Sequence, residues 1–251
     1  MKKIALISIL LIAGAMIAPY AHATPITFES ITNNDPINSA AGEAQLYADV
    51  QDLGGGQVQF TFGVASISDP NDPWGPPRTF EYDGQEYEYG DMHISEIYFD
   101  DSDFLAGIVS LVGDGGAWGF VNFTDEDVDP ANLPGAENLD PDFAATFSAE
   151  ALPPEGSYGN GIDPGESLGV VLDLQTGVSY QDVLTALGNG GLRLGLHVQG
   201  MYFGENSGIT SESFVNPYET GDPGAVPEPS TVLLLGAGLL GLLGLGRKYK
   251  K

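Results

Sequence analysis

Three stretches of this sequence place an apolar side chain at every second position, and that period of two constrains the fold more than any other feature. In residues 57–64, Val58, Phe60, Phe62 and Val64 face one way while Gln57, Gln59 and Thr61 face the other. Leu168, Val170, Leu172 and Leu174 repeat the pattern, as do Leu192, Leu194, Leu196 and Val198. Each reads as a strand with one buried and one solvated face, as in antiparallel sheets. Apolar runs at 104–112 and 117–123, separated by Gly113-Asp114-Gly115-Gly116, read as a hairpin. Helical signals occur in one place, where Ser179 can cap, Asp182 sits three residues on and Gly188 follows Leu187 as a terminator. With 35 glycines and 17 prolines in 251 residues, turns and short strands are favoured. The expected fold is all-β: an antiparallel β-sandwich or jelly roll with one short helix over 180–187.

Composition then narrows the chemistry. There is no cysteine, which excludes disulfides, thiolate metal sites and a cysteine nucleophile. Thirty-five acidic against eight basic side chains give a net charge of −27, and so anionic a surface repels nucleic-acid phosphates. Six of the basic residues, Lys2, Lys3, Arg247, Lys248, Lys250 and Lys251, stand at the two ends. Between Thr24 and Pro229 only Arg78 and Arg193 face all 35 carboxylates, a net of −33. A body of that charge stays dispersed by self-repulsion and attracts cations.

The ends read as an address. Lys2 and Lys3, an apolar stretch over 4–18 and Ala21-His22-Ala23 have the order of a secretory signal peptide over residues 1–23, cut after Ala23. At the other end, Pro227-Glu228-Pro229 precedes an apolar run at 231–246 and a basic cluster. As a helix those 16 residues span roughly 24 Å against a hydrocarbon core of about 30 Å, a short anchor that needs its flanks to snorkel. By the positive-inside rule both basic ends stay cytoplasmic, which places the body across the membrane.

The Pro-Glu-Pro triplet, the Gly/Leu-rich span and the terminal cations, in that order, resemble the PEP-CTERM sorting signal of Gram-negative bacterial surface proteins. The resemblance implies recognition of Pro227, Glu228 and Pro229 by an exosortase, membrane association through the short helix before processing, and a final location at the envelope surface or outside the cell. Residues 195–201 and 211–216 are similar to the C-terminal strands of exosortase-dependent surface proteins, a group that brings no assigned reaction. The implied organisation is a signal peptide at 1–23, an exported β-sandwich at 24–222 and a sorting segment at 223–251.

Within the body three features invite a ligand. Acidic clusters at Asp69-Pro70-Asn71-Asp72, at Asp100, Asp101 and Asp103, and at Asp125, Asp127 and Asp129 offer the oxygen ligands that calcium takes, and calcium is the expected ion. The third cluster is not an EF-hand, because Pro130 and Ala136 stand where that loop requires Gly and Glu. The second feature is the Asp83-Gly84 turn, which pairs 78–89 as a hairpin with Arg78, Phe80, Tyr82, Gln85, Tyr87 and Tyr89 on one face and Thr79, Glu81, Glu86 and Glu88 on the other. Trp74, in the Pro-rich loop at 69–77, joins Tyr82, Tyr87 and Tyr89 as a candidate platform for sugar rings. Third, Gly165-Glu166-Ser167-Leu168-Gly169 has the spacing of a hydrolase nucleophile elbow, but a strand follows the serine where the elbow needs a helix. His197 shares a strand face with Arg193, Gly195 and Gln199 and is expected to be exposed.

No catalytic constellation survives this reading. It points to a non-enzymatic surface or matrix protein, structural, adhesive or associated with extracellular polysaccharide. The alternative is an exported carbohydrate-active enzyme or a calcium-dependent carbohydrate-binding module.

Overall fold

The computed structural model describes residues 25–69, 72–101, 103–114, 121–125, 132–153, 159–201, 203 and 211–218, with the side chains of 72–76 excepted. With strands numbered in chain order, one antiparallel sheet runs β1 (Glu29–Ser30), β14 (Ser211–Val215), β13 (Leu192–Gln199), β8 (His93–Asp101), β11 (Phe147–Ala151), β10 (Phe123–Thr124). The other runs β2 (Leu46–Gly54), β3 (Gln57–Val64), β12 (Ser167–Leu174), β9 (Leu105–Asp114). Two ribbons, β4 (Ser68–Asp69) with β5 (Asp72–Pro77) and β6 (Thr79–Tyr82) with β7 (Gln85–Glu88), leave the second sheet after β3.

The three alternating stretches are β3, β12 and β13, and their apolar sides form the middle of a sandwich. Phe60 and Phe62 of β3 meet Phe99 of β8 edge-on, with centroids 5.5 and 5.8 Å apart, and so join the two sheets. The edges of the two sheets differ: those of the six-stranded sheet are short, and those of the four-stranded sheet are longer but interrupted or partly covered. Strands β1 and β10 have two residues each, β9 is bulged at Ala106 and Val109, and β2 pairs with Ile26 and accepts the Tyr180 hydroxyl at Val50. Short and bulged edges keep an exported sheet protein from pairing with its neighbours.

Four expectations need correction. Where the chain is described, the hairpin expected of 104–112 and 117–123 is not seen: β9 pairs with β12 and β10 with β11 in the opposite sheet, while 117–120 lie outside the described residues. The Pro-rich segment at 69–77 is largely the β4–β5 ribbon. Among the described residues there are two α-helices. The helix α1 (Pro36–Gln45) is capped by Asp35, whose side chain accepts from the amides of Ile37 (2.8 Å) and Asn38 (3.2 Å), with Pro36 at its first position. The expected helix, α2 (Tyr180–Asn189), has the Ser179–Asp182 capping box but runs past Gly188 to Gly190, which takes the left-handed conformation.

The fourth correction concerns the outer face of β13, which is covered. Arg193 is 4% exposed. Its Nε donates to Asp100 Oδ2 of β8 at 2.8 Å, Nη2 donates to the same oxygen, and Nη1 and Nη2 donate to the carbonyls of Pro141 (2.8 Å) and Asp142 (2.6 Å). The guanidinium stacks near Phe143 (5.3 Å) and Tyr218 (5.9 Å). Beside it, a Cβ on Gly195 would stand 2.9 Å from Leu133 and 3.0 Å from Phe143, so only glycine lets that loop close down on the sheet. A second cluster of Tyr98, Leu133, Ala136, Phe143 and Val215 results.

Replacing Arg193 by Met strands the Asp100 carboxylate and leaves the carbonyls of Pro141 and Asp142 without their donor, which costs about 3–5 kcal/mol. In thermal unfolding this is expected as a fall of roughly 6–20 °C in Tm. Arg193→Lys keeps the charge but not the planar fork, and its fall is smaller.

Candidate functional site

Asp100 and Asp101 point to opposite sides of β8. Asp100 serves Arg193 and accepts from the Ala144 amide (3.2 Å). Asp101, 6% exposed, accepts from the amides of Phe104 (3.0 Å) and Leu105 (2.9 Å), closing the turn into β9. Asp103 is exposed at that turn. Asp125 is exposed, while Asp127 and Asp129 lie outside the described residues. Among the described residues no three acidic or histidine side chains converge as a metal site, so the Asp100, Asp101 and Asp103 carboxylates are not gathered on one ion.

In the hairpin, β6 and β7 pair in the expected register about Asp83-Gly84, both at positive φ. The aromatic face turns inward. Phe80 is 8% exposed and stacks on Tyr87 (5.5 Å), while Tyr82, Tyr87 and Tyr89 are half-buried against the core. Arg78 lies over the Tyr89 ring at 4.9 Å, and the Tyr89 hydroxyl donates to Ala44 O (2.9 Å). The Trp74 side chain lies outside the described residues. A cleft of about 340 Å³ remains beside the hairpin, lined by Tyr87, Glu88, Gly90, Asp91 and Phe203. Ser167 opens β12 directly after a turn at Gly165, which is strand context and no elbow.

A polar cluster that the sequence does not reveal lies on the outer face of the six-stranded sheet. The Tyr98 hydroxyl donates to Glu96 Oε2 at 2.6 Å, and His197 Nδ1 lies 3.0 Å from the same oxygen. His197, expected to be exposed, is largely enclosed, its side chain 16% exposed. These residues come together because β8 and β13 are neighbours with His197 opposite Glu96, a register that no local pattern encodes. Ser213 stands opposite His197 on β14, but its hydroxyl is enclosed and has no hydrogen-bond partner among the described residues. His93 is 3% exposed, and neither ring nitrogen has a hydrogen-bond partner among the described residues.

Residues 225–248 match the family model of the PEP-CTERM protein-sorting motif. The chain carries the PEP-CTERM sorting signal. No curated protein and no solved structure matches it. The PEP-CTERM signal directs export and exosortase-mediated sorting to the envelope surface or the extracellular space. No helix among the described residues is long and apolar enough to cross a membrane, and the span at 231–246 lies outside them. The sandwich leads toward the PEP-CTERM segment at Tyr218, on the rim of a groove of about 700 Å³ along β1 that Ile31, Leu139 and Asn216 also line.

The polar cluster sets a pH dependence. The hydrogen bond with His197 holds Glu96 below the ordinary carboxylate range, against the opposing effect of burial. Its contribution to stability is present above the usual glutamate range and lost as pH falls below it. Burial, then the nearby His197, pushes His93 down. The unfolded chain therefore takes up protons first as pH drops through about 6.5, and stability falls. Asp101, pushed up by burial, takes up its proton earlier in the folded state and partly offsets the loss at the acid end. Denaturant midpoints are expected to decline between about pH 7 and 5, with a flatter profile for His93→Leu than for the wild type.

Proposed function

We propose that the sandwich, over about residues 24–222, is a non-enzymatic surface or matrix module delivered by its sorting segment at 223–251. In this reading the signal peptide is cut after Ala23, the short helix at 231–246 holds the exported body briefly at the membrane, and an exosortase processes the chain near Pro227-Glu228-Pro229. The body then stays at the envelope or is shed, and contributes cohesion, adhesion or association with extracellular polysaccharide. The observation that carries the reading is the PEP-CTERM motif at 225–248 on a chain whose body is a sandwich. The body's net charge of −33 and its short or bulged edges support it, because a concentrated extracellular protein needs protection against edge-to-edge pairing.

Two variants test the sorting step in the native host: deletion of residues 227–251, and joint substitution of Pro227, Glu228 and Pro229 by Ala. The deletion is expected to abolish retention at the envelope, and the triple variant to keep the mass of the unprocessed tail, as read by fractionation and mass spectrometry. Unchanged location and processed mass in both would sink the proposal. Product analysis after incubation with exopolysaccharide addresses catalysis: turnover abolished by a single Asp or Glu substitution would favour an enzyme.

A further inference from the structure

Among the described residues no loop covers the outer face of the four-stranded sheet, and its relief is set by two glycines. A Cβ on Gly63 of β3 would stand 2.4 Å from the Tyr47 hydroxyl oxygen and 2.5 Å from its Cζ, so the phenol end of Tyr47 lies across β3. A Cβ on Gly169 of β12 would stand 3.0 Å from Gln59 Nε2 and 3.1 Å from its Cδ, so that amide lies across β12. Any larger residue at either position lifts the overlying group. The result is a shallow floor with an aromatic ring at one end and planar amides in the middle. Gln59 donates to Thr61 Oγ1 (3.1 Å) and Gln57 to Asp173 (2.9 Å), which fixes their orientation.

The register puts Gln51 beside Gln59, and Asp49 beside Thr61. Asp49, Gln51, Ser110 and Val112 are exposed, while Tyr47, Gln57, Gln59 and Thr61 are half-buried. The floor therefore combines hydrogen-bonding groups with apolar ground, Val112 being 56% exposed. Its charges are carboxylates from Asp49, Asp114 and Asp173, and neither arginine of the body lies on it. A second copy of this chain would bring like charges together. Anionic polymers are repelled for the same reason. An uncharged chain of sugar rings fits: its hydroxyls pair with amides and carboxylates, and its C–H faces lie on Tyr47 and Val112.

We propose that this face binds a neutral polysaccharide chain, with Tyr47 as the stacking platform and Gln51, Gln59 and Asp49 as hydroxyl partners. The assignment deepens the surface-module reading and rests on it for the extracellular setting.

The test is affinity electrophoresis of the protein purified from its host, in native gels containing hydroxyethyl cellulose, galactomannan, dextran or alginate. At least one neutral polymer is expected to retard the wild type, and alginate to leave it unaffected. Tyr47→Ala is expected to weaken retardation by about fivefold or more, and Gln51→Ala, at an exposed position, by about threefold. Both variants should melt cooperatively and be sorted and processed as the wild type. Retardation by alginate alone, by none of the four polymers, or equally for wild type and both variants overturns the assignment. A fault in sorting instead strikes the surface-module reading, so the two failures are distinguishable.

Discussion

The Arg193–Asp100 pair is the contact on which the rest of the arrangement depends. A buried guanidinium is costly to desolvate, and the pair is tolerable because its donors meet a carboxylate and two carbonyls while aromatic rings flank it. Those partners come from β8, from the loop at 132–146 and from the end of the sandwich at Tyr218. One side chain thus ties together the sheet, its outer cover and the point where the chain turns toward its sorting segment. Without that anchor the second cluster around Leu133 and Phe143 would have little to hold it against β13.

An exported body with 35 carboxylates and two cations cannot stabilise its acids by pairing them. It uses backbone amides instead. Asp35 caps α1, Asp182 closes the capping box of α2, Asp52 accepts from Gly54, and Asp101 holds the turn between β8 and β9. Glu212, 1% exposed, receives the amides of Asn34 (3.0 Å) and Asp35 (2.7 Å) and the Thr32 hydroxyl, fixing the chain that leads into α1. Each is a charge-assisted hydrogen bond, stronger than its neutral counterpart, and together they let a highly anionic chain fold although its own side chains supply few counter-ions.

How far the sequence reveals this follows from the range of each interaction. The period-two stretches and the Asp83-Gly84 turn are local, and they give β3, β12, β13 and the β6–β7 register directly. The helix α1 escapes notice because Asn38, Ser39 and Gly42 lower its propensity; yet Gly42 is needed where the helix rests on the Phe214 ring, and Asp35-Pro36 was the available signal. The covered face of β13 escapes because its Arg-Gly-His-Gln side chains are polar, and only the loop that packs on Gly195 shows that they are enclosed. Acidic clusters look alike in sequence whether their oxygens meet an ion or an amide. The Gln57, Gln59 and Thr61 side of β3 is legible as a polar face, but Tyr47 and Gly169 join it only through strand register.

The two sheets also divide the work. The six-stranded sheet is covered on its outer side by the loop at 132–146, and Tyr218, stacked near Arg193, places the departure toward the sorting segment on that side. Among the described residues the four-stranded sheet keeps its outer side open, on the opposite surface of the sandwich. The asymmetry has a sequence origin: bulky Leu133 and Phe143 descend on Gly195 to seal one sheet, whereas the groups over Gly63 and Gly169 are a tyrosine and a glutamine that lie down and leave the surface above them free. Small residues on the outer strand faces thus do opposite jobs, admitting a covering loop on one side and flattening a floor on the other.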